Sequence, residues 1–148
     1  MSGVDPKYTL KELIKNNISH SALTKDNGDA AKFHVMYAVT PEVLVKDFFI
    51  KNRYDAVAAL GRAEASGYRH IQNVPVLYRG GFPVTVYVID KTGITGHLLR
   101  WQVYTEIRTI LRVFSTYQRI GMERDDDRLV AGKLLYSTTF TIQHDDFV

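Results

Sequence analysis

Residues 98–117, LLRWQVYTEIRTILRVFSTY, decide how the rest of the chain is read. At about 100° per residue, Leu99, Val103, Ile107, Ile110, Leu111, Phe114 and Tyr117 fall on one broad face of a helix. A stripe that long and wide must lie on a sheet. Sheet signals stand on either side of it. Upstream, residues 76–78 and 84–89 are β-rich runs separated by Arg79-Gly80-Gly81-Phe82-Pro83. Two glycines supply the positive φ of a tight turn, so the runs are expected to form an antiparallel hairpin. Downstream, residues 134–143 alternate. Leu134, Tyr136, Thr138, Phe140 and Ile142 point one way, and Ser137, Thr139, Thr141 and Gln143 the other, which predicts one polar sheet face.

Farther out the pattern is thinner. Thr9-x-x-Glu12 has the form of a capping box and predicts a short N-terminal helix with Leu10, Leu13 and Ile14 on one side. Residues 33–39 alternate as a strand does. The polar stretches 19–29, with Asn27-Gly28, and 121–132, with Asp125-Asp126-Asp127, read as solvated connections. Residues 43–50 fit a strand or a short helix. Residues 54–65 stay open, because their alanines favour helix while Gly61 and the lack of an apolar stripe oppose it. The expected fold is a single α+β domain over residues 1–148, with residues 1–6 a flexible end. Its sheet is mainly antiparallel, with one long amphipathic helix and a short N-terminal helix packed on one face.

Composition narrows the function classes. The chain has 148 residues, of which 45% are hydrophobic and 24% charged. A chain of this size buries roughly two-thirds of its extended surface and needs no metal or disulfide to fold. The absence of cysteine excludes disulfides, thiolate nucleophiles and cysteine-zinc sites. There is no basic segment leading into an apolar one at the start, and no apolar run near the roughly 20 residues that span a bilayer. A cytoplasmic location without a membrane partner is expected. The net charge of +3 and a pI near 9.1 lean only slightly towards an anionic partner.

No catalytic or metal-binding signature is complete. Asp90-Lys91-Thr92-Gly93, directly after a strand, resembles the start of the DKTGT signature of phosphoryl-transfer ATPases, which would make Asp90 a nucleophile. Ile94 stands where that family has threonine, no later segment matches its magnesium-holding motif, and too few residues follow for its parallel strands. A strand-to-helix turn requiring Gly93 and Gly96 explains the same residues. Gly93-Ile94-Thr95-Gly96 has the form of a KH-type clamp, but follows a strand rather than a helix. None of His20, His34, His70, His97 and His144 forms a metal-helix spacing, and the aspartates at 125–127 lack the alternation of a calcium loop. The expectation is a protein without catalytic residues, metal or cofactor.

The informative surface is on the long helix. Trp101, the only tryptophan, lies nearly opposite the apolar stripe, with Arg108, Arg112 and Arg119 on the same polar face and Arg100 and Tyr104 flanking it. Such a surface has three readings. Trp101 can lie under a loop or the N-terminal helix, with the arginines solvated. It can mark a protein interface, since Trp, Tyr and Arg are the residues enriched at binding hot spots. Or it can bind nucleic acid, with arginines on phosphates and Trp101 stacked on a base. The candidate interface residues are Trp101, Tyr104, Arg108, Arg112 and Arg119.

An early helix, a loop, antiparallel strands with a hairpin, one long helix and a final polar-faced strand make a recognisable order. Carried by residues 10–18, 76–89, 98–117 and 134–143, it resembles the tail terminator and tail-completion proteins of long-tailed phages. The resemblance is one of architecture, and no site residue is carried over from it. It implies a non-enzymatic homo-oligomeric ring, commonly of six subunits, made in the host cytoplasm and carried in the virion. Its partners would be further copies and other tail or head-tail joining proteins. The alternative is a small nucleic-acid-binding module using the same arginines.

Overall fold

Two long strands carry the fold. The computed structural model describes residues 6–18, 33–37, 40–61, 64–72, 74–91, 93–114, 119–120 and 124–147. In chain order the elements begin with α1 (Pro6–Asn17), β1 (Phe33–Tyr37), the helical turn α2 (Pro41–Val43) and a π-helix, π1 (Leu44–Lys51). They continue with β2 (Ala56–Leu60), β3 (Glu64–Ile71), β4 (Val74–Val88) and α3 (Gly96–Phe114), and end with β5 (Arg119–Ile120), β6 (Arg124–Val130) and β7 (Lys133–Phe147). All the described strands join one sheet in the order β1-β2-β4-β7-β5, with β3 also paired to β4 and β6 to β7. Only β1 and β2 are parallel, so the sheet is mainly antiparallel and the fold is α+β.

One face of the sheet is covered by α1 and α3. Leu10 and Ile14 of α1 meet Leu99, Val103, Ile107 and Leu111 of α3 over Val84, Val86 and Val88 of β4 and Phe140 and Ile142 of β7. Tyr104 closes this core with an edge-on contact to Phe140, ring centroids 5.2 Å apart. The α3 stripe therefore sits where its period puts it. Its start is earlier than expected, at Gly96, and 115–118 lie outside the described residues. Helix α1 likewise begins at Pro6, so Thr9 is inside the helix and does not cap it. Proline is well placed in a first turn, where its missing N–H is not needed. The rest of the end expected to be flexible, residues 1–5, and the loop expected at 19–29 lie outside the described residues.

Three strand expectations are corrected. Gly80-Gly81 is not a turn, because β4 runs straight through it. Gly80 and Gly81 pair with His144 and Gln143 of β7 on one side and with Ala65 and Glu64 of β3 on the other. Glycine permits a turn but does not impose one, and unbroken pairing from Leu77 to Val88 along β7 outweighs the permission. The hairpin lies one element earlier, where β3 and β4 meet with Ile71 opposite Val74. Pro83 survives mid-strand because a strand residue turns its N and C=O to the same side. Its carbonyl accepts from Gly61 N–H at 2.7 Å, so the missing donor faces the gap between β2 and β3. A side chain at Gly61 would put its Cβ 2.4 Å from Pro83 Cγ.

Residues 54–65, left open between helix and strand, contribute β2 and the start of β3. All of Ala56–Leu60 is buried, because β2 pairs parallel to β1 and is covered on both faces. A strand buried on both sides shows no alternation. The parallel pair needs a crossover, and residues 43–50 supply it as α2 and π1. This helical segment covers the sheet face expected to be polar. Leu44, Val45 and Phe49 pack there with Val57, Val130 and Leu135. Hydroxyls remain toward the middle, where Thr85 and Thr139 share a 2.9 Å side-chain hydrogen bond. The third correction concerns the connection at 121–132, most of which is β6. It pairs with β7 from Arg124 opposite Thr139 to Val130 opposite Lys133, through a turn in which Ala131 and Gly132 both have positive φ.

His34 shows how that second face responds to pH. It points away from α3 into a stack with Phe48 and Tyr54, both centroids 5.3 Å distant. Burial, reinforced by Lys11 and Lys15, lowers its pKa below the usual 6.5. The folded state thus holds fewer protons at this site than the unfolded chain. Its full contribution to stability is present above pH 6.5 and is lost as pH falls towards the lowered value. We expect His34→Phe to be relatively more stable at pH 5 than at pH 8 when both proteins are unfolded in urea. An equal difference at the two pH values would remove His34 from the acid response.

Candidate protein interface

The N-terminus of α3 is fixed by the end of β4. Lys91 and Ile94 exchange backbone hydrogen bonds of 3.0 and 3.1 Å in the turn between them. The Gly96 N–H donates to Asp90 Oδ1 at 2.7 Å, a carboxylate at the positive end of a helix. The Tyr136 hydroxyl reaches Asp90 Oδ2 at 3.5 Å. Burial first, then the Asp90 carboxylate, raises the Tyr136 pKa, which keeps its phenol protonated and able to donate. Lys91 pairs with Asp55 at 3.1 Å. Asp90 and Lys91 are thus both engaged in holding the strand-to-helix turn.

One turn into α3 lies a group that the sequence did not disclose. Arg100 was expected to flank the exposed patch, yet its side chain is 8% exposed and turned onto the sheet. The reason is β6. Register places Asp125 opposite Thr138 and Asp127 opposite Tyr136, so both carboxylates share the sheet face that carries α3. Arg100 Nη1 donates to Asp127 Oδ1 and, at 3.2 Å, to the carbonyl of Ser137. Its Nη2 lies 3.5 Å from Asp125 Oδ2 and donates to His97 Nδ1 at 3.2 Å. An arginine has no lone pair to offer, so Nδ1 is the acceptor and the His97 proton sits on Nε2, facing Asp127 Oδ2 at 3.8 Å. Thr138 completes the ring by donating to Asp125 Oδ1 at 2.7 Å.

Above this group opens a cleft of about 410 Å³, lined by His97, Arg100, Trp101, Tyr104, Asp125 and Thr138. Trp101 forms one wall and is 58% exposed, and among the described residues neither a loop nor α1 covers it. Its ring lies 5.9 Å from that of Tyr104. No protein-family model matches the chain, and no curated protein matches it in sequence.

The candidate residues separate accordingly. Trp101 and Arg112 are exposed on α3, and Arg108 is half-buried beside them. Tyr104 is 1% exposed and belongs to the core, reaching the interface only as the inner wall of the cleft. Arg119 is not on the helix, because α3 is described to Phe114 and Arg119 opens β5 opposite Gln143. Thr105 and Thr109 turn their hydroxyls back onto the carbonyls of Trp101 and Thr105, at 2.8 and 3.0 Å. They leave Leu98, Trp101 and Arg112 as the prominent groups on that flank. Leu129 and Leu134, paired near the tip of the β6–β7 turn, add exposed apolar surface on the same sheet face.

Among the described residues there is no group of three His, Asp or Glu side chains placed to hold a metal ion. No described helix is long and apolar enough to cross a membrane. The signal that could have revealed the cluster is the spacing of Asp125 and Asp127. Two residues apart, they share a face if the segment is a strand, but a run of three aspartates reads as solvent-facing loop.

Proposed function

We propose that the protein is a non-enzymatic structural subunit that works by self-association through the Trp101 face of α3. The observation that carries this reading is an exposed indole beside a cleft whose floor is rigid. Hydrogen bonds to Asp127, Ser137 and His97 hold Arg100 in one place, so a partner's side chain would meet a preformed surface. Tryptophan set in a fixed polar surround is the composition of a binding hot spot. The element order that resembles the phage tail terminator and tail-completion proteins supports a role as a ring-forming tail or head-tail joining subunit. Residues 76–88 enter that order as one strand, β4, rather than as a hairpin. On this reading the chain works in the host cytoplasm and in the virion.

Nucleic acid fits the surface less well. Asp125 lines the cleft next to Trp101, Asp127 stands behind it on Arg100 and His97, and the two would repel the phosphates of any strand whose base stacked there. Trp101→Ala tests the proposal. Removing an exposed side chain should change folding stability by less than about 0.5 kcal/mol, while self-association weakens by about 2 kcal/mol, roughly thirtyfold in Kd. Light scattering on a sizing column across concentrations reads the second effect, and urea unfolding the first. Unchanged assembly in the variant would refute the Trp101 interface.

A further inference from the structure

We infer that the other half of the interface lies at the opposite end of the sheet, so that the Trp101 cleft of one copy receives the Tyr8–Lys11–Lys15 flank of α1 from a second copy. The inference rests on the self-association reading above and supplies the partner surface it lacks. Strand order puts β1 at one end of the sheet and β6, outside β7, at the other. Helix α1 lies over the β1 end and buries Leu10 and Ile14. At about 100° per residue, Tyr8, Lys11 and Lys15 share one flank of α1. Lys11 Nζ sits 5.4 Å from the centre of the Tyr37 ring on β1, and both lysines act on His34 of the same strand. Tyr8 and Tyr37 are 53% and 44% exposed. This end of the molecule therefore offers two ammonium groups on an aromatic surface.

The cleft end has the complementary make-up. On the sheet face beneath it stand two carboxylates, Asp125 and Asp127, with one guanidinium, Arg100, between them. One negative charge is left over, next to an indole face. An ammonium group beside a carboxylate and over a tryptophan ring is favoured by both. Arg108 and Arg112 follow Trp101 by 7 and 11 residues, about 10 and 16 Å along the helix axis, and do not offset the charge at the cleft. Two lysine ends facing each other would repel, as would two carboxylate ends. Only unlike ends attract, which makes the contact head-to-tail and able to close into a ring.

A charge exchange tests the pairing. Lys11→Glu with Lys15→Glu makes both ends of a copy acidic, and Asp125→Lys makes the cleft end basic like the α1 end. Asp125 is chosen because its side chain is mostly exposed, whereas Asp127 holds Arg100. Each variant alone, folded by circular dichroism, should show association at least about tenfold weaker than the unaltered protein. An equimolar mixture should recover assembly, with the two kinds of copy alternating, as sedimentation at moderate salt would read. If either folded variant assembles like the unaltered protein, or the mixture stays apart, the pairing is wrong while self-association stands. If the unaltered protein is a monomer at every concentration, the self-association reading itself fails, and the pairing with it.

Discussion

Gly96→Ala is expected to cost about 3 kcal/mol of folding stability, because the added methyl group has no room. A Cβ at residue 96 would lie 2.0 Å from Tyr136 Cδ2 and 2.1 Å from Cε2. The ring cannot swing aside freely. Its hydroxyl reaches Asp90, His97 meets its edge with centroids 4.7 Å apart, and the Arg100 guanidinium lies 5.8 Å from its centre. Either α3 lifts from β7 or Tyr136 leaves its rotamer, and both disturb the Arg100 cluster. Urea unfolding of Gly96→Ala measures the loss. Replacing Tyr136 as well, by Leu, should return part of it by vacating the space. A Gly96→Ala protein as stable as the parent would show that the close approach of α3 to β7 is not tight.

The second large effect is expected at Arg100. Arg100→Ala removes the cation between Asp125 and Asp127, leaves the Ser137 carbonyl without that donor and opens a void beneath Trp101. Breaking a buried pair from one side typically costs about 3–5 kcal/mol. Asp127 is one-third exposed, so water recovers part of this and about 3 kcal/mol is the expected loss. Arg100→Lys should recover only part, because an ammonium cannot bond Asp127, Ser137 and His97 from one plane. Asp125→Asn should cost under about 1 kcal/mol, since that carboxylate is largely solvated. A small loss for Arg100→Ala alongside a large one for Asp125→Asn would reverse the assignment of Arg100 as the centre of the cluster.

The candidate site was half legible. Trp101 on the face of α3 away from the core follows from the helical period, and so does the exposure of Arg112. Arg100 by the same count falls between Ile107 and Leu111, on the stripe. What was not legible is how a cation is held there, which depends on carboxylates that a strand some 25 residues later brings beneath it. Tyr104 was placed beside the patch as well. Helical period puts it at the margin of the stripe, and only the width of the sheet below decides that the margin is covered.

Features whose cause lies within a few residues could be read directly from the residues. The apolar period of α3, the alternation of β1 and β7, and the capping turn at Asp90 to Gly96 belong here, and with them the α+β class. The remaining features each depend on a partner far along the chain. The two glycines of β4 stay extended because β3 and β7 pair with both edges there. Ala56–Leu60 is a strand because β1 and β4 pair with its two edges, while the α1–α3 layer and π1 bury its faces and erase the alternation that would have announced it. The acidic run 125–127 is a strand because β7 offers it an edge, and that edge turns Asp125 into the cleft beside Trp101 and Asp127 onto Arg100, while Asp126 faces the other side of the sheet. Local sequence sets what each segment permits, and long-range pairing selects among the permitted states because burial and backbone hydrogen bonds outweigh propensities of about a kcal/mol or less.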